Sequence, residues 1–189
     1  MFIQTEVTPN PLSMKFLPGR EVNPKAPINF TSPEDCLISP LAKALFLNVN
    51  ITGVFFGKDF ITVTKSENAN WDVIKPDILL TMMEHFTSGA PLILESDGSH
   101  KDTEILETDS DIVAQIKEII EHRVRPAVAQ DGGDITFHSF ENGVVKLKLQ
   151  GSCSGCPSSS VTLKNGIENM LKHYVPEVES VEAVNDYEE

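Results

Sequence analysis

The sequence is short of cysteine, short of positive charge and without any long apolar run. Each shortage removes a class of protein. The three cysteines, Cys36, Cys153 and Cys156, are too few for the disulfide framework of a small secreted scaffold. Two of them stand close together, which points to a metal or redox role in a reducing compartment. Lysine and arginine number 15 against 28 aspartates and glutamates, and the formal net charge is -13. An acidic surface repels phosphate backbones, so nucleic acid is not an expected partner. No stretch approaches the roughly 20 apolar residues that span a bilayer, so no membrane is expected either. The opening residues Met1–Glu6 have neither the basic and apolar regions of a secretory signal nor the Arg-rich, acid-poor character of a transit peptide. The expected placement is a bacterial cytoplasm, or alternatively the mitochondrial matrix if the sequence is read without its leader.

What is present is ordinary globular composition. The chain has 189 residues, 40% apolar and 23% charged, enough for one large domain or two small ones. Residues 96–109 read SDGSHKDTEILETD, a charged stretch with little to bury, and are expected to be a linker. The expected class is therefore α+β: two small α+β domains, 1–95 and 110–189, joined by a polar linker, the second ending in an acidic tail. The tail is a solvated surface in the plain reading and a dock for a basic client patch in the sharper one.

In the first domain, strands are expected over Phe2–Val7 and Ser13–Leu17, separated by the turn residues Pro9, Asn10 and Pro11. Ser39-Pro40 opens a short helix, and Gly57-Lys58-Asp59 separates two strands of a hairpin. Asn70 caps a helix with Ile74, Ile78, Met82 and Phe86 at helical spacing, ended by Gly89. In the second domain, Ile112, Val113, Ile116, Ile119 and Ile120 share one helical face. Pro126 is expected to bend or end that helix. Asn142-Gly143 predicts a two-residue hairpin turn, and Val145, Leu147 and Leu149 alternate with Lys146 and Lys148. A second helical stripe runs from Leu163 to Tyr174, and a last strand over 178–184 completes an α-β-β-α-β order.

The one unusual local feature is Gly151-Ser152-Cys153-Ser154-Gly155-Cys156-Pro157, between a strand and a helix. Pro157 suits a first helical turn, so the pair is expected at or just before a helix N-terminus, where the dipole and free N–H groups lower thiol pKa. By itself CxxC fits a thioredoxin-like redox site, half a zinc site or half an iron–sulfur site. Zinc–sulfur sites and common clusters want four protein ligands. One chain offers two adjacent thiols and a distant Cys36, so a two-fold dimer would complete the set. A tight hairpin rather than a βαβ unit precedes the motif, which favours metal or cluster over redox chemistry. Cys36 and the scattered histidines His85, His100, His122, His138 and His173 are read as structural. Asp131 and Asp134 bracket two glycines in a turn needing unusual backbone angles, and lack the other oxygen ligands of a calcium loop.

The segment Arg123–Asp134, the hairpin after it and Gly151–Ser158 closely resemble the C-terminal domain of NifU-like proteins, the Nfu family. The N-terminal domain of that family is resembled by Gln4–Glu6, Thr8–Pro11, Lys15–Gly19, Ser39–Ala42 and Asp59–Lys65. Val7 and Leu12 are minor departures. The resemblance implies a scaffold or carrier, not an enzyme. It would hold an iron–sulfur cluster across a homodimer, typically [4Fe-4S], with [2Fe-2S] also compatible with four thiolates, and receive it from upstream assembly proteins. It would then deliver the cluster to apo-proteins. The ligands implied are Cys153 and Cys156. The Asp131–Asp134 turn is then expected to support the cysteine loop.

Overall fold

A computed structural model of the chain describes residues 2–23, 25–94, 110–154 and 157–184. The chain divides into two compact units, within residues 1–99 and 100–189, each with its own apolar core. Both are α+β, as expected. The linker expected over 96–109 lies outside the described residues.

The first unit contains strands β1 (Gln4–Val7), β2 (Ser13–Leu17), β3 (Ile28–Phe30), β4 (Ile51–Phe56) and β5 (Ile61–Lys65), with helices α1 (Pro40–Leu45) and α2 (Trp71–Ser88). Its sheet runs β1-β2-β5-β4-β3 and is antiparallel at each pairing. The expected turn between the first two strands is closed by Asn10, whose side chain accepts from the Leu12 N–H at 3.0 Å. Phe16, Phe30, Phe56 and Ile61 are fully buried on the sheet. The α2 stripe of Ile74, Ile78, Met82 and Phe86 is buried in the same core. Each such side chain contributes about 1.5–3 kcal/mol by leaving water. Asn70 caps α2 through the Asp72 N–H, and Gly89 terminates it at φ 70°. Strand β3 and the 3-10 turn Pro33–Ile38 carry no sequence signal. Three residues show no periodicity, and only the pairing of Ile28 with Phe56 and Phe30 with Val54 makes a strand of them.

The second unit contains α3 (Asp111–Ile119), a π turn (Ile120–Val124), α4 (Arg125–Gln130), β6 (Gly133–Glu141), β7 (Val144–Gly151), α5 (Pro157–Tyr174) and β8 (Ser180–Val184). The sheet order is β6-β7-β8, with β8 parallel to β7. The Ser110 side chain caps α3 by accepting from the Val113 N–H. Asn142 and Gly143 have φ of 51° and 79°, the left-handed pair that matches the twist of a two-residue hairpin. Val145 and Leu147 point into the core with Ile116, Ile120, Ile135, Ile167 and Leu171, as their alternation requires.

Pro126 does not end the helix; it stands in the first turn of α4, directly after the irregular π turn. The helical path continues to Gln130 and the irregularity falls upstream, where the Arg125 N–H donates to the Ile120 carbonyl. A proline lacks an N–H and crowds the carbonyl four residues back. A wider π turn just before it relieves that crowding. Among the described residues no helix is long and apolar enough to cross a membrane.

Candidate functional site

Strand β7 ends at Gly151, with φ 63°, and the chain leaves α4 for β6 through Gly132, with φ 81°. Both angles lie in the left-handed region that favours glycine. The two bends face each other, because β6 and β7 pair Gly133 with Gly151 and Asp134 with Gln150. The Ser152 N–H donates to the Gly132 carbonyl at 3.2 Å, and the Ser152 hydroxyl donates to the Asp131 carbonyl. Within the second bend the Cys153 N–H donates to the Gln150 carbonyl at 3.4 Å and the Ser154 N–H to the Gly151 carbonyl at 3.2 Å. The segment 131–134 is thus tied to the cysteine turn.

Cys153 is buried here, 5% exposed. A Cβ on Gly133 would stand 2.3 Å from the Cys153 Sγ and 2.9 Å from the Gln150 carbonyl oxygen. Unusual backbone angles were expected at both Gly132 and Gly133. Only Gly132 has a positive φ; Gly133 is the first residue of β6, and its small size leaves the space that Sγ fills.

Burial pushes the Cys153 thiol up to about 12; a hydrogen bond with Ser152 opposes the rise, and the charges of Asp131 and Asp134 add to it. Cys153 sits in the turn after β7, just before Pro157 where α5 begins, as expected, but the expected lowering of its pKa is reversed because desolvation by burial dominates. Cys156 lies outside the described residues.

Asp134 is not a cation ligand. Arg125 donates through Nε to Oδ1 at 2.8 Å and through Nη2 to Oδ2 at 3.0 Å, taking both carboxylate oxygens. Arg125 also reaches the Glu121 Oε2 through Nη1 at 2.6 Å. Burial alone would lower the Arg125 pKa, but the two carboxylates raise it above its ordinary value. Nothing in the local sequence around Arg125 singled it out; its place two residues after the start of the family-like segment was the one available signal.

Cys36 belongs to the first unit. It is packed in that unit's core, and its Sγ donates to the Ser32 carbonyl at 3.3 Å. Burial, with the charges of Asp35 and Glu34, raises its pKa to about 11. Of the histidines, His122 lies in the π turn, with Nδ1 against the Glu118 carbonyl. His173 packs edge-on against Tyr174, and His100 lies outside the described residues. Among the described residues no group of three or more His, Cys, Asp or Glu is placed to hold a metal ion.

Two family models match the chain: a NifU-like domain over residues 116–182 and the scaffold protein Nfu/NifU N terminal over residues 3–89. A protein of Drosophila persimilis, "NFU1 iron-sulfur cluster scaffold homolog, mitochondrial", is 56% identical over 187 residues, covering 98% of this chain and 66% of its own length. The Arabidopsis thaliana "NifU-like protein 5, mitochondrial" is 54% identical over 192 residues, covering 100% of this chain and 70% of its own length. The chain thus spans about two thirds of the length of these relatives. The solution structure of a NifU-like protein from Saccharomyces cerevisiae aligns with 27% identity and a TM-score of 0.45, over 51% of this chain and 87% of that one.

Proposed function

The chain belongs to the NifU-like (Nfu) family, and on that footing we propose that it is a scaffold and carrier for an iron–sulfur cluster. The cluster is its cargo, held across a homodimer by Cys153 and Cys156 of each chain and passed to apo-proteins. The observation that carries this reading is the Cys153 turn. Its thiol is housed where a side chain at Gly133 would displace it, in a chain whose relatives are named iron–sulfur cluster scaffold and NifU-like protein. Soft thiolate donors suit iron–sulfur clusters, and two pairs related by a two-fold axis make the usual set of four. A [4Fe-4S] cargo is preferred to [2Fe-2S].

Each thiol gives up its proton as its bond to iron forms. Delivery reverses this. A client thiolate forms a bond to iron as the Cys153 bond breaks, the freed sulfur regains a proton, and no electron changes hands. The reading therefore involves ligand exchange and no catalytic turnover, with upstream assembly proteins as donors and apo-proteins as acceptors. Of the two expected compartments, the bacterial cytoplasm finds no support among these relatives, and their names favour the mitochondrial one.

A thiol–disulfide role is weakened by the burial of Cys153, because an attacking thiol needs access.

Anaerobic reconstitution with iron and sulfide, read as iron and sulfide per chain alongside native mass, tests the proposal. About four irons per dimer supports the [4Fe-4S] carrier, and about two keeps the bridging site but changes the cluster. A colourless protein that binds no iron and cycles its thiols as a monomer overturns it.

A further inference from the structure

We propose that Arg125 is a positioning residue for cluster binding. Its two-pronged pairing with Asp134 fixes the start of β6 and so holds Gly133 against Cys153. This rests on the reading of Cys153 as a cluster ligand.

The Asp134 side chain is 6% exposed, and a carboxylate so buried needs a partner for its charge. Arg125 supplies it with both oxygens engaged at 2.8 and 3.0 Å. A planar guanidinium meets a carboxylate in this way, fixing its direction as well as its charge; a lysine ammonium does not. The π turn belongs to the same device. The five-residue bond from the Arg125 N–H to Ile120 alters the helical phase just where Arg125 departs toward β6, and Glu121, within that turn, holds its third nitrogen.

Asp134 is covalently next to Gly133 and pairs across the sheet with Gln150. Gln150 in turn accepts from the Cys153 N–H, and its carbonyl lies 2.9 Å from where a Gly133 Cβ would stand. The guanidinium is therefore linked to the thiol through three short steps: carboxylate, backbone of 133–134, cysteine turn. The other end of the hairpin has its own support in the Asn142-Gly143 turn. Loss of the pair is thus expected to loosen the cysteine end and spare the far end.

The test uses the full chain with Arg125→Met and Arg125→Lys. In the apo form, iodoacetamide labelling of Cys153 is followed by peptide mapping. Hydrogen exchange is followed at the Ser152 and Cys153 amides against Val145. Breaking a buried pair should speed Cys153 labelling by about tenfold or more in Arg125→Met. Arg125→Lys, keeping a single contact, should fall between Arg125→Met and the parent, with Val145 exchange unchanged in both. In the loaded form, cluster loss to a chelator should accelerate in the same order. Labelling within about twofold of the parent, or Val145 exchange rising as much as Cys153, overturns the proposal. If the parent takes up no cluster, the cluster reading fails while the labelling still judges the positioning role. Should Arg125→Met not fold, Asp134→Asn and Arg125→Lys carry the same comparison.

Discussion

Gly133 and Cys153 meet at van der Waals contact across the β6–β7 end of the second unit, and no room for a methyl group separates them. The pairing of Gly133 with Gly151 makes this contact a consequence of sheet register.

Gly133→Ala should therefore disturb the cysteine turn directly. The atoms it would strike, the Cys153 Sγ and the Gln150 carbonyl, are short or backbone, so relief by a flexible side chain is not available. The expected cost is about 1–3 kcal/mol, read by thermal unfolding, with Gly133→Val worse and its iron content per chain below the parent's. Unchanged cluster occupancy in Gly133→Val would mean that the glycine does not support the site.

Cys153→Ala and Cys156→Ala should each lose both iron and sulfide after reconstitution. Cys36→Ala should keep them, since Cys36 is packed in the core of the first unit. Its expected effect is a loss of about 1 kcal/mol from the cavity it leaves, seen as a lower melting temperature. Iron loss in Cys36→Ala equal to that in Cys153→Ala would remove the assignment of the ligands.

Acid should weaken the first unit through Asp35. Its carboxylate accepts from the Thr31 N–H at 3.1 Å, the Thr31 hydroxyl at 3.1 Å and the Ser32 N–H at 3.0 Å. Burial alone would raise its pKa, but these bonds outweigh that and hold it below the ordinary 3.8. A pKa depressed by folding adds stability that is fully present above the unfolded value and lost as pH falls through the folded one. Asp35→Asn should thus melt below the parent near neutrality, and the gap should close as pH drops below about 4. A gap that stays constant down to about pH 3 would show that Asp35 does not act through its charge.

The first unit adds a folded surface to a chain whose proposed ligands lie in the second. We expect it to recognise clients or donors. Deleting residues 1–95 should leave cluster binding by the second unit intact, because that unit has its own core, while slowing transfer to a client. Equal transfer rates with and without residues 1–95 would exclude this role.

The sequence by itself determined whatever depends on neighbours along the chain. The helical stripe of Ile74, Ile78, Met82 and Phe86, the cap Asn70, the Asn142-Gly143 turn and the alternation through Val145 and Leu147 are all where local spacing puts them. These signals are readable because periodicity and backbone angle are set within a few residues. Tertiary structure alone decided the rest. Strand β3 exists through its pairing with β4. Arg125 finds Asp134 only once α4 lies beside β6. The Cys153 pKa reversed the sequence expectation because desolvation depends on what is packed over a thiol. What is packed there, Gly133, is brought to it by register and not by sequence proximity.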